Sequence, residues 1–102
     1  MRSFHFSQLA ENDLLSIGDH TLRAWGPEQT KKYLSELEAC CQMLANNPEL
    51  GRACDDVRPG LRRLEQGKHV IFFRLQLNGI LISRILHERM LPKKYPIDDE
   101  DI

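Results

Sequence analysis

An Asn-Gly dipeptide between two apolar runs constrains this chain more than any other short feature. Asn78-Gly79 separates residues 70–77 (VIFFRLQL) from residues 80–86 (ILISRIL). A type I′ turn needs positive φ at both central residues, and Asn followed by Gly meets that demand at the least steric cost, so the pair predicts a β-hairpin. Gly67 permits a second reversal before the first run, from a shorter strand over residues 61–65. Residues 61–90 therefore read as a three-stranded antiparallel meander, and the chain before them as the layer that covers it.

That layer is helical. Residues 3–7 (SFHFS) alternate in polarity and suit a short first strand, and Ser7 is placed to cap the helix that follows. Ala10, Leu14, Ile17, Thr21 and Trp25 recur at spacings of three or four and form one apolar stripe. Gly26-Pro27 ends that helix and opens a second, since glycine suits a helix exit and proline the first helical position. Tyr33, Leu37, Cys41 and Leu44 make the second stripe, which Asn46-Asn47-Pro48 stops. Trp25 and Tyr33 are expected to pack in the core or between the helices. So short a link predicts an antiparallel helical hairpin. A turn-rich crossover spans residues 48–60, Pro92 stops the last strand, and residues 96–102 read as a frayed acidic tail.

The order β-α-α-β-β-β predicts one α+β domain over residues 1–102, a helical hairpin packed on one face of a mainly antiparallel four-stranded sheet. With a two-residue loop at Asn78-Gly79, Leu77 pairs with Ile80 and opposite partners share a face. One face then carries Ile71, Phe73, Leu75, Leu77, Ile80, Ile82, Arg84 and Leu86, and is the one to bury. Arg84 is its odd member and must reach an edge or meet a carboxylate. A register slip of one residue would instead turn Arg84 to the other face, beside Arg74. That other face carries Val70, Phe72, Arg74, Gln76, Leu81, Ser83, Ile85 and His87. No helix remains to cover its apolar members, so it is expected to bind a partner.

The net charge of −1 hides an asymmetry. Four cations face seven acids through residue 50, ten face four over residues 51–95, and residues 96–102 hold four acids alone, giving −3, +6 and −4. A local excess of that size on a small sheet favours an acidic partner. No apolar run approaches the ~20 residues that span a bilayer, and residues 1–13 lack the apolar core of a secretory signal, so a cytoplasmic protein without membrane contact is expected. Three cysteines, two adjacent at Cys40-Cys41 and one at Cys54, form neither a disulfide framework nor a metal-ligand spacing. His5, His20, His69 and His87 lack ligand spacing, and neither a phosphate loop nor a nucleophile elbow is present, so no cofactor or metal is expected.

One constellation has chemical potential: Arg62, Arg63, Arg74, Arg84, His87, Arg89 and Tyr95. Phosphodiester cleavage through a 2′-hydroxyl needs a base, an acid and cations for the developing charge, and a histidine among arginines can supply part of that set. No carboxylate or second histidine completes an acid–base pair. The arginines are therefore read as ion-pairing and partner-binding groups, direct nucleic-acid binding is not expected, and no catalytic residue is assigned. Arg74, His87, Arg89 and Tyr95 are the set an enzymatic alternative would use.

Three stretches carry a family resemblance: WGPEQTKKYL over residues 25–34, NPELGRACDDVRPGLRRLEQGKHVIFFR over residues 47–74, and ISRILHERM over residues 82–90. The sequence resembles the ParE toxins of bacterial type II toxin–antitoxin modules, within the wider RelE/ParE superfamily. The resemblance implies a β-α-α-β-β-β fold and a toxin that poisons DNA gyrase and blocks replication. It also implies a ParD-like antitoxin whose C-terminal segment wraps the toxin. On that reading Arg62, Arg63, Phe72, Arg74, Arg84, His87 and Arg89 are the residues expected to meet antitoxin or target. The RelE branch instead cuts mRNA on the ribosome, often with a Tyr or His near the C-terminus. Here Tyr95 is the only aromatic past the last strand, among Pro92, Pro96 and acids, which favours the ParE branch.

Overall fold

The structure is a computed structural model that describes residues 2–97. Its elements run β1 (Ser3–Phe6), α1 (Gln8–Trp25), α2 (Pro27–Asn46), β2 (Arg52–Ala53), β3 (Arg62–Gln66), β4 (His69–Gln76) and β5 (Gly79–His87), with 3-10 turns at Pro48–Leu50 and Pro92–Lys94. The expected α+β class holds. Ser7 caps α1 as predicted, its hydroxyl accepting from the Ala10 amide at 3.1 Å and donating to the Ser83 carbonyl at 2.8 Å. One side chain thereby fixes both the start of α1 and its seat on β5.

Among the described residues the sheet has five strands rather than four, in the order β1-β5-β4-β3-β2. The extra strand is the two-residue β2 inside the crossover, too short to carry any alternation that a sequence pattern would register. β1 runs parallel to β5 and the other pairings are antiparallel.

The hairpin turn differs from the expected one. Gln76 pairs with Gly79, so the two loop residues are Leu77 and Asn78. Only Asn78, at φ 65°, has positive φ, where a type I′ turn would need two such residues. Gly79 serves a different need: it lies opposite Ser3 of β1, and a Cβ there would stand 1.9 Å from the Ser3 carbonyl oxygen. The closeness of a parallel neighbour, contributed from 76 residues earlier, decides what this glycine is for.

Pairing Leu75 with Ile80, not Leu77, is a slip of two residues, which preserves the faces up to Ile82. A bulge then intervenes: Phe73 pairs with Ile82 but Phe72 with Arg84, leaving Ser83 as the extra residue on β5. Beyond it the expected faces exchange. Ile85 and His87 join Ile71 and His69 under the helices, while Arg84 and Leu86 join Phe72 and Val70 on the other side.

Both faces are buried except at the hairpin end, where Leu75 and Leu77, expected on the buried face, are 59% and 94% exposed because the turn runs past the helices and the covering loops. Under the helices Ala10, Ile17, Leu37, Cys41 and Leu44 meet Ile71, Phe73, Ile80, Ile82 and Ile85. On the other side Val70, Phe72 and Leu86 are covered by Cys54 and Val57 of the crossover, by Leu61 just before β3, and by Met90 and Ile97 after β5. The expectation that this face stands open is therefore corrected. Phe72 is 1% exposed and offers no surface to a partner. Loop residues supply the cover, and they have no period to betray it. Ile97 is buried and Pro96 is hydrogen-bonded, so the expected frayed tail does not begin at residue 96. The rest of it, residues 98–102, lies outside the described residues.

Candidate partner-binding surface

The arginines expected to face a partner fall into distinct environments. Arg84 is structural: Nε and Nη2 each meet an Asp13 carboxylate oxygen at 2.8 Å, and Nη1 donates to the Pro96 carbonyl at 2.6 Å. The Asp13 hydrogen bonds hold the guanidinium pKa above its usual value against the effect of burial. Asp13 also accepts the Ile85 amide at 2.9 Å, at a point where β1 has ended and β5 has no strand neighbour on that side. Arg84 thus both reaches an edge and finds a carboxylate, and it is not available to a partner.

Arg62 is half-buried and ties β3 to the end of the 3-10 turn that follows α2, its Nε and Nη2 donating to the Gly51 carbonyl at 3.0 and 2.6 Å. Arg63 lies over the Phe72 ring, Cζ to centroid 5.4 Å, and pairs with Glu65 at 3.1 Å. Arg52 shares Glu65 at 2.7 Å. Arg74 is half-buried, with Nη2 3.4 Å from the Pro59 carbonyl. Arg89 is exposed on the turn after β5. The structure does not bring Arg74, His87, Arg89 and Tyr95 together. Arg74 and His87 lie on opposite faces, and His87 is six positions beyond the partner of Arg74 on β5, roughly 20 Å along the strand.

His87 has different company. It is paired in register with His69, the ring centroids 5.5 Å apart and edge-on. Its Nδ1 accepts the Arg89 amide at 3.1 Å. His69 Nδ1 lies 2.6 Å from the Tyr33 hydroxyl, which also donates to the Gln66 carbonyl at 3.2 Å. Burial, reinforced by the neighbouring His87 and His20, lowers the His69 pKa, and burial raises that of Tyr33. No group of three or more His, Cys, Asp and Glu able to hold a metal occurs among the described residues. The three thiols are free and buried, and burial pushes Cys41 up to about 12.

A second surface was not foreseen. Trp25, expected in the core, is 74% exposed, as is Leu15, and Leu22 is also exposed. They follow i, i+7, i+10 spacing, a stripe beside the one that meets the sheet. Leu15 borders a groove of ≈ 610 Å³ between the helices, whose apolar lining includes Phe6, Leu14, Leu34, Leu37 and Cys41. Glu11, Lys31 and Glu38 stand around it. The spacing of Leu15, Leu22 and Trp25 is legible in the sequence once two stripes are sought on α1 instead of one.

A helical hairpin on a mixed five-stranded sheet, with an apolar groove between the helices and arginines along the sheet, defines a small two-layer α+β module. Comparison with known proteins narrows the class. The family model described as the ParE toxin of the type II toxin-antitoxin system, parDE, matches residues 4–92. Toxin ParE1 of Mycobacterium tuberculosis is 42% identical over 85 residues, 82% of this chain and 87% of the relative. Toxin ParE1 of Caulobacter vibrioides is 36% identical over 90 residues, 88% of this chain and 93% of the relative. A chain from the chromosomal ParDE TA system of P. aeruginosa superposes with a TM-score of 0.71 at 28% identity, covering 85% of this chain and 96% of that one. The chain belongs to the ParE toxin family of type II toxin–antitoxin systems.

Proposed function

We propose that this ParE toxin inhibits DNA gyrase by protein–protein contact in the bacterial cytoplasm, blocking replication, and that a ParD-like antitoxin neutralises it. The observation that carries the antitoxin half is the apolar groove bordered by Leu15, on a helix that also exposes Leu22 and Trp25. An amphipathic helix lays its apolar side chains into such a groove at i, i+3, i+4 and i+7 spacing. The solved relative comes from a ParDE system, which supports a partner of the ParD kind. Residues 51–95 carry the cationic excess, and Arg63 and Arg89 are the members of the expected set best disposed to meet acidic side chains of a partner.

The gyrase half rests on family membership. Its test is a supercoiling and cleavage-complex assay with purified gyrase and purified chain, with and without a ParD-like antitoxin. Inhibition that the antitoxin relieves is the expected result. Unchanged supercoiling and no trapped cleavage complex at stoichiometric excess would remove gyrase as the target while leaving the antitoxin reading standing.

A further inference from the structure

We propose that His69 and His87 form a proton-operated latch on the turn that leaves β5 and carries Arg89. The two residues are the register pair at the open end of the hairpin, on the helix side of the sheet, both half-buried. A backbone amide can only donate, so the Arg89 N–H at 3.1 Å requires a lone pair on His87 Nδ1, and the proton of the neutral ring sits on Nε2. The Tyr33 hydroxyl has one proton to give. With it on the Gln66 carbonyl at 3.2 Å, the oxygen accepts from His69 Nδ1 at 2.6 Å. His87 is therefore neutral as bonded, whereas His69, donating from Nδ1, keeps its bond to Tyr33 in either charge state.

Acid undoes this in two ways. A proton on His87 Nδ1 meets the Arg89 N–H head on and ends that hydrogen bond. A proton on His69 as well sets two cations across a ring separation of 5.5 Å. The surrounding charges do not reverse the balance. Asp13 from α1 and Glu88 beside His87 favour the cation at His69, and His20 from α1 opposes it. Glu36 of α2 acts on Tyr33, as does Glu88, and Lys68 from the β3–β4 turn bonds Tyr33 through its backbone. Burial outweighs the two carboxylates at His69.

The turn itself is closed by three hydrogen bonds: Glu88 N–H to the Lys68 carbonyl at 2.8 Å, Met90 N–H to the His87 carbonyl at 2.9 Å, and the Arg89 amide to His87. Loss of the third frees the Arg89 backbone while the other two still tether the turn. The consequence for a partner rests on the reading that Arg89 meets antitoxin or target; the latch does not.

The test follows the Arg89 amide by NMR in the whole chain from about pH 7.5 to about pH 5, the range in which imidazoles charge. Hydrogen-exchange protection, corrected for intrinsic rate, is expected to fall roughly fivefold, the worth of one net hydrogen bond. In His87→Asn the side-chain oxygen still accepts from the amide two residues on but does not titrate, so protection stays level. Level protection in the wild type, or an equal fall in His87→Asn, overturns the latch. So does a parallel fall at Ile17 in α1, which would report unfolding of the whole domain. If the latch titrates but antitoxin affinity is the same at both pH values, the partner role of Arg89 fails and the latch stands.

Discussion

Replacing Asp13 by Asn tests how the two sheet faces are joined. The Asp13 and Arg84 side chains are 13% and 10% exposed, joined by two bonds of 2.8 Å, and Asp13 also takes the Ile85 amide at 2.9 Å. Asparagine keeps one acceptor oxygen but loses the charge, so the guanidinium stays buried against a neutral amide. Removing one partner of a buried pair costs ~3–5 kcal/mol, and the slight exposure here puts the expected loss near the lower bound, about 3 kcal/mol. For a chain of this size each kcal/mol lowers Tm by roughly 4–8 °C, so thermal unfolding followed by circular dichroism should shift down by roughly 12–24 °C. The double variant Asp13→Leu/Arg84→Met removes both charges and is expected to recover most of the loss, because the penalty lies in the stranded cation more than in the missing attraction. A shift under about 4 °C for Asp13→Asn, or a double variant less stable than the single one, would refute the argument.

Two further outcomes are expected. Gly79→Ala places a methyl 1.9 Å from the Ser3 carbonyl oxygen, so β1 must leave β5, and the amides of residues 3–6 should lose exchange protection while those of β3 and β4 keep theirs; retained protection in β1 would show that the strand moves to accommodate it. Leu22→Glu and Trp25→Glu should abolish co-purification with a ParD-like antitoxin while changing stability by less than about 0.5 kcal/mol, since both side chains are exposed. Arg23→Glu, in an exposed ion pair with Asp19, should leave the complex intact, and an equal loss in all three variants would reject the exposed apolar stripe of α1 as the docking face.

The two helices, their caps and the strands of the meander were legible because each depends on neighbours within a few residues. Ser7 before Gln8, Gly26-Pro27 between two stripes, and apolar runs punctuated by Gly67 and Asn78 are local signals, and local sterics enforce them. The family, too, was legible, in residues 25–34, 47–74 and 82–90. The surface was less so. The bulge at Ser83 adds one residue to β5, and period-two alternation has no means of marking it, so Arg84 and His87 exchanged faces with their neighbours. Gly79 looked like a turn residue because glycine answers several needs, and only the parallel approach of β1 says which one applies. Phe72 looked open because no helix was left to cover it, yet Cys54, Leu61 and Ile97 do so from aperiodic segments. Trp25 fitted the core stripe by spacing, but it stands at the last position of α1, where it is 74% exposed. By itself the sequence determined the elements and their order. Which side chains a partner can touch was decided by contacts between residues tens of positions apart, and periodicity, being a property of adjacent positions, does not encode them.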